Sequence, residues 1–315
     1  MNVLWVKDGK IGHEKQVKVL LDELSKTQII NITERNVKGL YPIYTYLSDI
    51  KENFYDLIIG AGHKVYAQLI DVKKYQNEKC KNIAILTPSF NKRKFDIICA
   101  PLHDRDSLKN QNNVVFYEGS LAKVSNEVPD ENIGLIALGG RNKHYEFNEN
   151  ELIKQIEYIY SLYPNKKWFI FTSRRTTAKM MNKLAILEKY SNIVLSNNNI
   201  DELYVRASIK FITQDSVNMV YESLSTKGST YVFNMKYFKK NKIVNQINNL
   251  INDKKIGYIK YEKMADGLNK IVLEEQNIYN DQKFLYSCMY IHCSVYNCLL
   301  GSTLAQKTCN SNGLQ

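Results

Sequence analysis

Residues 209–233, IKFITQDSVNMVYESLSTKGSTYVF, decide the fold. Ile209 to Thr213 is a short apolar run of the strand type, and Thr230 to Phe233 is another. Between them, Ser216 to Ser225 carries Val217, Val220, Tyr221 and Leu224 at helical spacing. Strand, helix and strand in such close succession form the unit from which parallel sheets are built, because a parallel neighbour is reached only through a crossover.

The same alternation extends in both directions. Upstream, strands are expected at Val3 to Val6, Ile29 to Ile32, Asp56 to Ile59, Ile83 to Leu86, Phe95 to Ala100 and Val114 to Tyr117, with helices at Glu14 to Ser25 and Val65 to Tyr75. Val17, Leu20, Leu21 and Leu24 give the first helix one buried stripe. A polar stretch around Val128 to Asn132, with Pro129, interrupts the pattern before it restarts at Ile133 to Leu138. Strand Trp168 to Thr172, helix Thr176 to Leu187 and strand Ile193 to Leu195 follow. The expectation is an α/β chain of two Rossmann-like domains, 1–130 and 131–275, with 276–315 as a C-terminal extension.

Length and composition agree with this division. The chain has 315 residues, enough for two ordinary domains, and is 44% hydrophobic and 24% charged, as a globular chain is. Its 43 Lys and Arg against 32 Asp and Glu give +11, which favours phosphates, nucleic acid or an anionic membrane face as partners. The lysines are spread along the chain without a basic, aromatic-interleaved stripe, so nucleic acid is the weakest of these. Six cysteines at 80, 99, 288, 293, 298 and 309 form no CxxC pair, so neither a zinc site nor a disulfide framework is indicated. MNVLWVKDGK passes directly from a short apolar run into charge, unlike a signal peptide, and a cytoplasmic location is expected. From Phe284 onward the only charge is Lys307; the uncharged Phe284 to Ala305 has the length of a membrane span, but interspersed Ser, Asn, His, Thr and Gly weigh against insertion.

In open parallel sheets ligands bind beyond the carboxyl ends of the strands, so the residues there are the candidates. The first strand ends in Lys7-Asp8-Gly9-Lys10-Ile11-Gly12-His13, where Gly9 and Gly12 let the backbone approach a ligand ahead of a helix N-terminus; a plain strand-to-helix turn has the same form. Gly60-Ala61-Gly62-His63 repeats the device. In Pro101-Leu102-His103-Asp104 the histidine and carboxylate form either a base with its orienting partner or a loop brace. Asp104-Arg105-Asp106 matches the short DxD pattern of metal-bound sugar diphosphates, with an arginine between the acids that counts against it. Gly139-Gly140-Arg141 sets a cation beside two glycines. Ser173-Arg174-Arg175-Thr176 is expected to bring two guanidinium groups to a helix N-terminus, an electrostatic conflict that a bound phosphate would relieve. In Thr213 to Glu222, Asp215 or Ser216 is expected to cap the helix. Ser216 with the helix N-terminus would hold phosphate, and Glu222, six residues and about 9 Å further along, would accept from ribose hydroxyls.

WVKDGKIGHEKQ (Trp5 to Gln16), PLHD (Pro101 to Asp104), Gly139-Gly140, SRRT (Ser173 to Thr176) and TQDSVNMVYE (Thr213 to Glu222) together resemble the mitochondrial-fission "elongated mitochondria" family, across residues 1 to about 275. The chain is similar, more distantly, to the muramyl-lipid N-acetylglucosaminyltransferase and UDP-N-acetylglucosamine 2-epimerase group, in which a Glu at the place of Glu222 binds ribose. The resemblance implies a GT-B fold whose two domains face a central cleft, with a nucleotide-sugar donor in the second and the acceptor against the first. It implies transfer of a sugar to a cell-envelope glycan or lipid-linked acceptor, without metal or other cofactor, and peripheral contact with the anionic inner face of the membrane fits the charge. Donor-binding candidates are Gly9, Gly12, Gly139, Gly140, Arg141, Ser173, Arg174, Arg175, Thr176, Asp215, Ser216 and Glu222. Asp8 is the first candidate for the base, with His13 and the His103–Asp104 pair as alternatives. A nucleotide-sugar epimerase and a non-enzymatic membrane-division protein are the rival expectations.

Overall fold

A computed structural model describes residues 1–37, 53–196, 199–264 and 268–276. The chain divides into two compact units, with the break in sequence between Ala122 and Lys123. The second unit therefore begins at Lys123, not at residue 131. The reason is a backbone tie ahead of Pro129: the Ser125 amide donates to the Ser225 carbonyl at 3.0 Å, and Ser125 pairs with Thr226 as an isolated parallel bridge.

In the first unit, strands β1 (Asn2–Lys7), β2 (Asn31–Asn36), β3 (Leu57–Ala61), β4 (Lys81–Ile85), β5 (Ile97–Pro101) and β6 (Val114–Tyr117) form one parallel sheet in the order β2-β1-β3-β4-β5-β6. Helices α1 (Ile11–Ser25) and α2 (His63–Lys73) follow β1 and β3. Central β3, LIIGA, is buried at every position, as a parallel strand covered on both faces must be. Successive side chains alternate between two apolar layers: Val3 and Trp5 pack with Leu20, Leu21 and Leu24 of α1, while Leu4 and Val6 pack with Tyr66 and Leu69 of α2. Edge strand β2 departs from the expected Ile29 to Ile32, and Ile29 is 84% exposed. An edge strand is placed by its ladder to β1, from Asn2↔Asn31 to Lys7↔Asn36, and needs no apolar run. Cys80 and Cys99 are free and buried, and burial pushes both thiols up to about 12.

In the second unit, β7 (Asp130–Leu138), β8 (Lys167–Thr172), β9 (Ile193–Ser196), β10 (Ala207–Ile212), β11 (Ser229–Val232), β12 (Gly257–Lys263) and β13 (Asn269–Glu274) form a sheet in the order β13-β12-β11-β10-β7-β8-β9. All neighbours are parallel except β13, which closes the edge antiparallel to β12. Helices α3 (Glu149–Leu162), α4 (Ala178–Leu187), α5 (Ile200–Arg206), α6 (Val217–Leu224) and α7 (Lys242–Asn252) complete it. The strand order reverses between β7 and β10, and in the first unit between β1 and β3; these are the switch points at which adjacent loops part.

A lysine lies wholly inside the second unit. Lys210 on β10 is fully buried, and its ammonium donates to the carbonyls of Ser223 (2.9 Å), Thr226 (3.2 Å) and Lys227 (2.8 Å) and to the Thr226 hydroxyl (2.7 Å). These acceptors cluster at the carboxyl end of α6, where a helix carries partial negative charge. Residues 277–315, and with them the expectations for the C-terminal extension and its four cysteines, lie outside the described residues. Among the described residues no helix is long and apolar enough to cross a membrane.

Candidate functional site

At the switch point of the first unit, the β1 loop folds onto the start of α2. Gly9 has φ +77°, and a Cβ placed on it would meet nothing within 4 Å, so a residue with a side chain is disfavoured there by conformation and not by space. The Asp8 side chain is 1% exposed. Its carboxylate accepts from the Lys10 amide at 3.0 Å and from Nδ1 of His13 at 2.8 Å. His13, in the first turn of α1, keeps 22% of its side chain exposed. Asp8 thus stands behind His13, and of these two candidates the imidazole is the accessible one, with the carboxylate against its Nδ1. Gly62, the residue before α2 with φ +91°, permits this, since a Cβ there would lie 2.5 Å from His13 Nδ1.

The His103–Asp104 pair does not form as a hydrogen-bonded dyad. His103 Nε2 is 3.8 Å from Asp104 Oδ1, while the Thr87 hydroxyl donates to Asp104 Oδ2 at 2.8 Å. The DxD reading fails for a related reason. Arg105 lies over the Phe116 ring, and Asp106 is solvent-exposed and paired with Lys109. Near both Asp8 and Asp104 sits Tyr66, whose hydroxyl donates to the Ile85 carbonyl at 2.8 Å; burial raises its pKa first, and the two carboxylates raise it further. Thr87 carried no linear signal, because its role depends on β4 and β5 ending side by side.

At the switch point of the second unit, the space beside the glycines is already filled. A Cβ on Gly139 would lie 2.2 Å from the Asp215 carboxylate, and one on Gly140 would lie 1.9 Å from the Arg175 carbonyl oxygen. Asp215 does not cap α6. Its side chain is fully buried, accepts from the Gly140 amide at 2.9 Å and pairs with Arg175 at 2.9 Å. Burial raises its pKa, and the Gly140 amide, the Thr213 hydroxyl and Arg175 oppose that rise. The Gly139 amide donates to the Thr213 hydroxyl at 2.7 Å, and Ser173 and Thr176 hydroxyls both donate to the Gly139 carbonyl. Gly139, Gly140, Ser173, Arg175, Thr176 and Asp215 therefore form a latch joining the ends of β7, β8 and β10.

The SRRT turn also sits differently from expectation. Helix α4 begins at Ala178 and Thr177 caps it by accepting from the Met180 amide, so the two arginines precede the helix. Arg175 serves the latch, donating to the Gly140 carbonyl as well. Arg174 is exposed and has no ion-pair partner among the described residues. Arg141 is 74% exposed with Glu149 at 3.7 Å. Among the described residues no metal-ligand set of three His, Cys, Asp or Glu gathers.

Helix starts divide into two groups. Asn148, Thr177, Asn199 and Asn241 cap α3, α4, α5 and α7 with side-chain hydrogen bonds. Helices α1, α2 and α6 have none, although Ser216 occupies the capping position of α6. Each of these three follows a strand at a switch point, so their N-termini lie at the carboxyl ends of the sheets. Glu222 lies on α6, half-buried, and its charge acts on the Tyr204 hydroxyl.

The profile of a family described as Mitochondrial fission ELM1 matches residues 11–274. An uncharacterized protein of Rickettsia prowazekii (strain Madrid E) is 23% identical, over 74% of this chain and 83% of its own. Among solved structures, S. aureus MnaA with UDP superposes with a TM-score of 0.54 at 11% identity, covering 95% of this chain and 97% of that one. UDP-GlcNAc 2-epimerase from Neisseria meningitidis bound to UDP-GlcNAc gives 0.50 at 12% identity, covering 96% and 94%. At such identities the likeness is one of fold, the GT-B type of α/β architecture.

Proposed function

Since this chain belongs to the Mitochondrial fission ELM1 family, we propose that it is a GT-B glycosyltransferase moving a sugar from a nucleotide-sugar to a cell-envelope glycan or lipid-linked acceptor. The observation that carries this reading is the N-terminus of α6, where Ser216 holds the capping position without capping. Its leading amides and the Ser216 hydroxyl receive the donor phosphates, and Glu222, about 9 Å further along the helix axis, accepts from the ribose. Arg174 adds the cation that Arg175, tied to Asp215, does not. The location proposed with it is the cytoplasm. The UDP and UDP-GlcNAc bound to the two similar structures fit a uridine nucleotide in this chain.

When the glycosidic bond to phosphate breaks, negative charge develops on the departing nucleotide. Preorganised amides at α6 and the Arg174 guanidinium stabilise it, without a metal in this reading. The acceptor hydroxyl loses its proton as it attacks, and His13 is the base: Asp8 holds Nδ1–H, fixes the tautomer and stabilises the imidazolium.

A panel of nucleotides and nucleotide-sugars in a thermal-shift assay tests donor binding. A stabilising nucleotide raises the unfolding temperature by mass action, and the shift is expected to vanish in Glu222→Ala. No shift with any nucleotide would end the donor reading. Nucleotide release is then followed with and without added acceptor; release that needs acceptor and falls about 100-fold or more in His13→Gln supports transfer, whereas sugar isomerisation without acceptor would make the protein an epimerase.

A further inference from the structure

Contrary to the expectation that the lysines are spread without a basic, aromatic-interleaved stripe, residues 236–242 hold four lysines around Tyr237 and Phe238, and the fold sets the cations of a second loop beside them at one rim of the second unit. Residues 234–242, NMKYFKKNK, follow β11, and residues 139–144, GGRNKH, follow β7; neither segment contains an acidic residue. The fold zips them together beside the α7 start. Tyr145 and Tyr237 form an antiparallel bridge, the Phe238 amide donates to the His144 carbonyl at 3.0 Å, and the Glu146 amide donates to the Lys236 carbonyl at 2.8 Å. The Asn241 side chain reaches His144 Nδ1 at 3.2 Å, closing the end of the ladder.

This short ladder carries Arg141, Lys143, Lys236, Lys239, Lys240 and Lys242, and between the cations stand two outward aromatic side chains, Tyr237 at 44% and Phe238 at 62% exposure. Four of the cations, Lys143, Lys236, Lys239 and Lys240, are exposed and have no ion-pair partner among the described residues. The exposed Phe238 ring stands among ammonium groups, a pairing of apolar and cationic surface. It matches an anionic lipid surface, where the ring enters the headgroup boundary and the amines remain at the phosphates.

We propose that the 141–143 and 236–242 ladder is a peripheral membrane contact selective for anionic phospholipid. Nucleic acid would meet the same charge, but it is bound along an extended basic path, and this patch is one short ladder. The inference is independent of glycosyl transfer: the contact stands whether or not a nucleotide binds α6.

The test is sedimentation of the full chain with vesicles of phosphatidylcholine alone or with phosphatidylglycerol at roughly one part in three. Binding is expected only to the anionic vesicles, weakening as salt rises. Lys239→Glu with Lys240→Glu is expected to reduce it by more than about tenfold, and Phe238→Ser to reduce it severalfold, both with unchanged thermal unfolding because the sites are exposed. Lys123→Glu with Lys227→Glu, an equal change of net charge elsewhere on the unit, is expected to bind as the parent does. Failure of the parent to bind anionic vesicles overturns the proposal, as does a ladder variant that binds like the parent or a control that loses as much. Preferential capture of a single-stranded RNA, abolished by the ladder variant while vesicles are ignored, would assign the patch to nucleic acid instead.

Discussion

The two units answer the same topological problem in opposite ways. Each brings two parallel strands to a switch point and places glycine where the loops part. In the first unit Gly9 borders open space, and the neighbouring carboxylate Asp8 serves an accessible imidazole. In the second, Gly139 and Gly140 are pressed against Asp215 and Arg175 of the same chain. A glycine at a strand end is thus no sign of a ligand by itself; it marks close approach, and what approaches is a matter of tertiary structure. The latch takes up the glycines, and the helix beside it is the one proposed to receive the ligand.

Substituting the glycines sharpens this contrast most. Gly140→Ala sets a methyl group against the Arg175 backbone and is expected to destabilise by about 3 kcal/mol in urea unfolding. Gly9→Ala meets no atom and pays only for its positive φ, about 1 kcal/mol. Equal losses at the two positions would erase the distinction. Next in size, Lys210→Met leaves several carbonyls inside the second unit without their donor and is expected to cost about 2 kcal/mol, read as a fall in the denaturant midpoint.

A smaller effect concerns acid. The raised pKa of Asp215 means that the folded chain binds this proton more tightly than the unfolded one, so its contribution to stability is fully present below the unfolded value and declines as pH rises through the folded one. Asp215→Asn is expected to flatten the pH dependence of unfolding in that window; an unchanged profile would show that Arg175 and the Gly140 amide fully offset the burial. The smallest effect separates the two kinds of helix start. Asn148→Ala is expected to cost about 1 kcal/mol, whereas Ser216→Ala, which removes no cap, is expected to stay within about 0.5 kcal/mol while weakening nucleotide binding.

The parallel strands were legible because burial on both faces writes them as apolar runs, as in LIIGA of β3 and FI of β10. Edge β2 was misplaced because NITERN has almost nothing to bury. Helix α3 is absent from the expected elements although Leu152, Ile156 and Ile159 fall at helical spacing behind an Asn cap; α5, with seven residues, is too short for periodicity to declare it. At the candidate site, chemistry was legible and roles were not. An Asp between a strand and a helix reads as a cap, and only Gly140, 75 residues away, reveals that Asp215 is a latch. Asp8 and His13 lie five apart, yet which one faces outward depends on the packing of Gly62 beneath them.

The buried ammonium of Lys210 also links local motions. If α6 were to unwind and carry the turn after it away while β10 stayed in the sheet, a cation would be stranded in the interior without the carbonyls of Ser223, Thr226 and Lys227. Opening of α6 alone is therefore a high-energy event, and the helix and strand should exchange their amide hydrogens as one cooperative unit. The helix proposed to carry the donor is thereby held as rigidly as the core strand behind it, and a ligand arriving there finds its amides already in place.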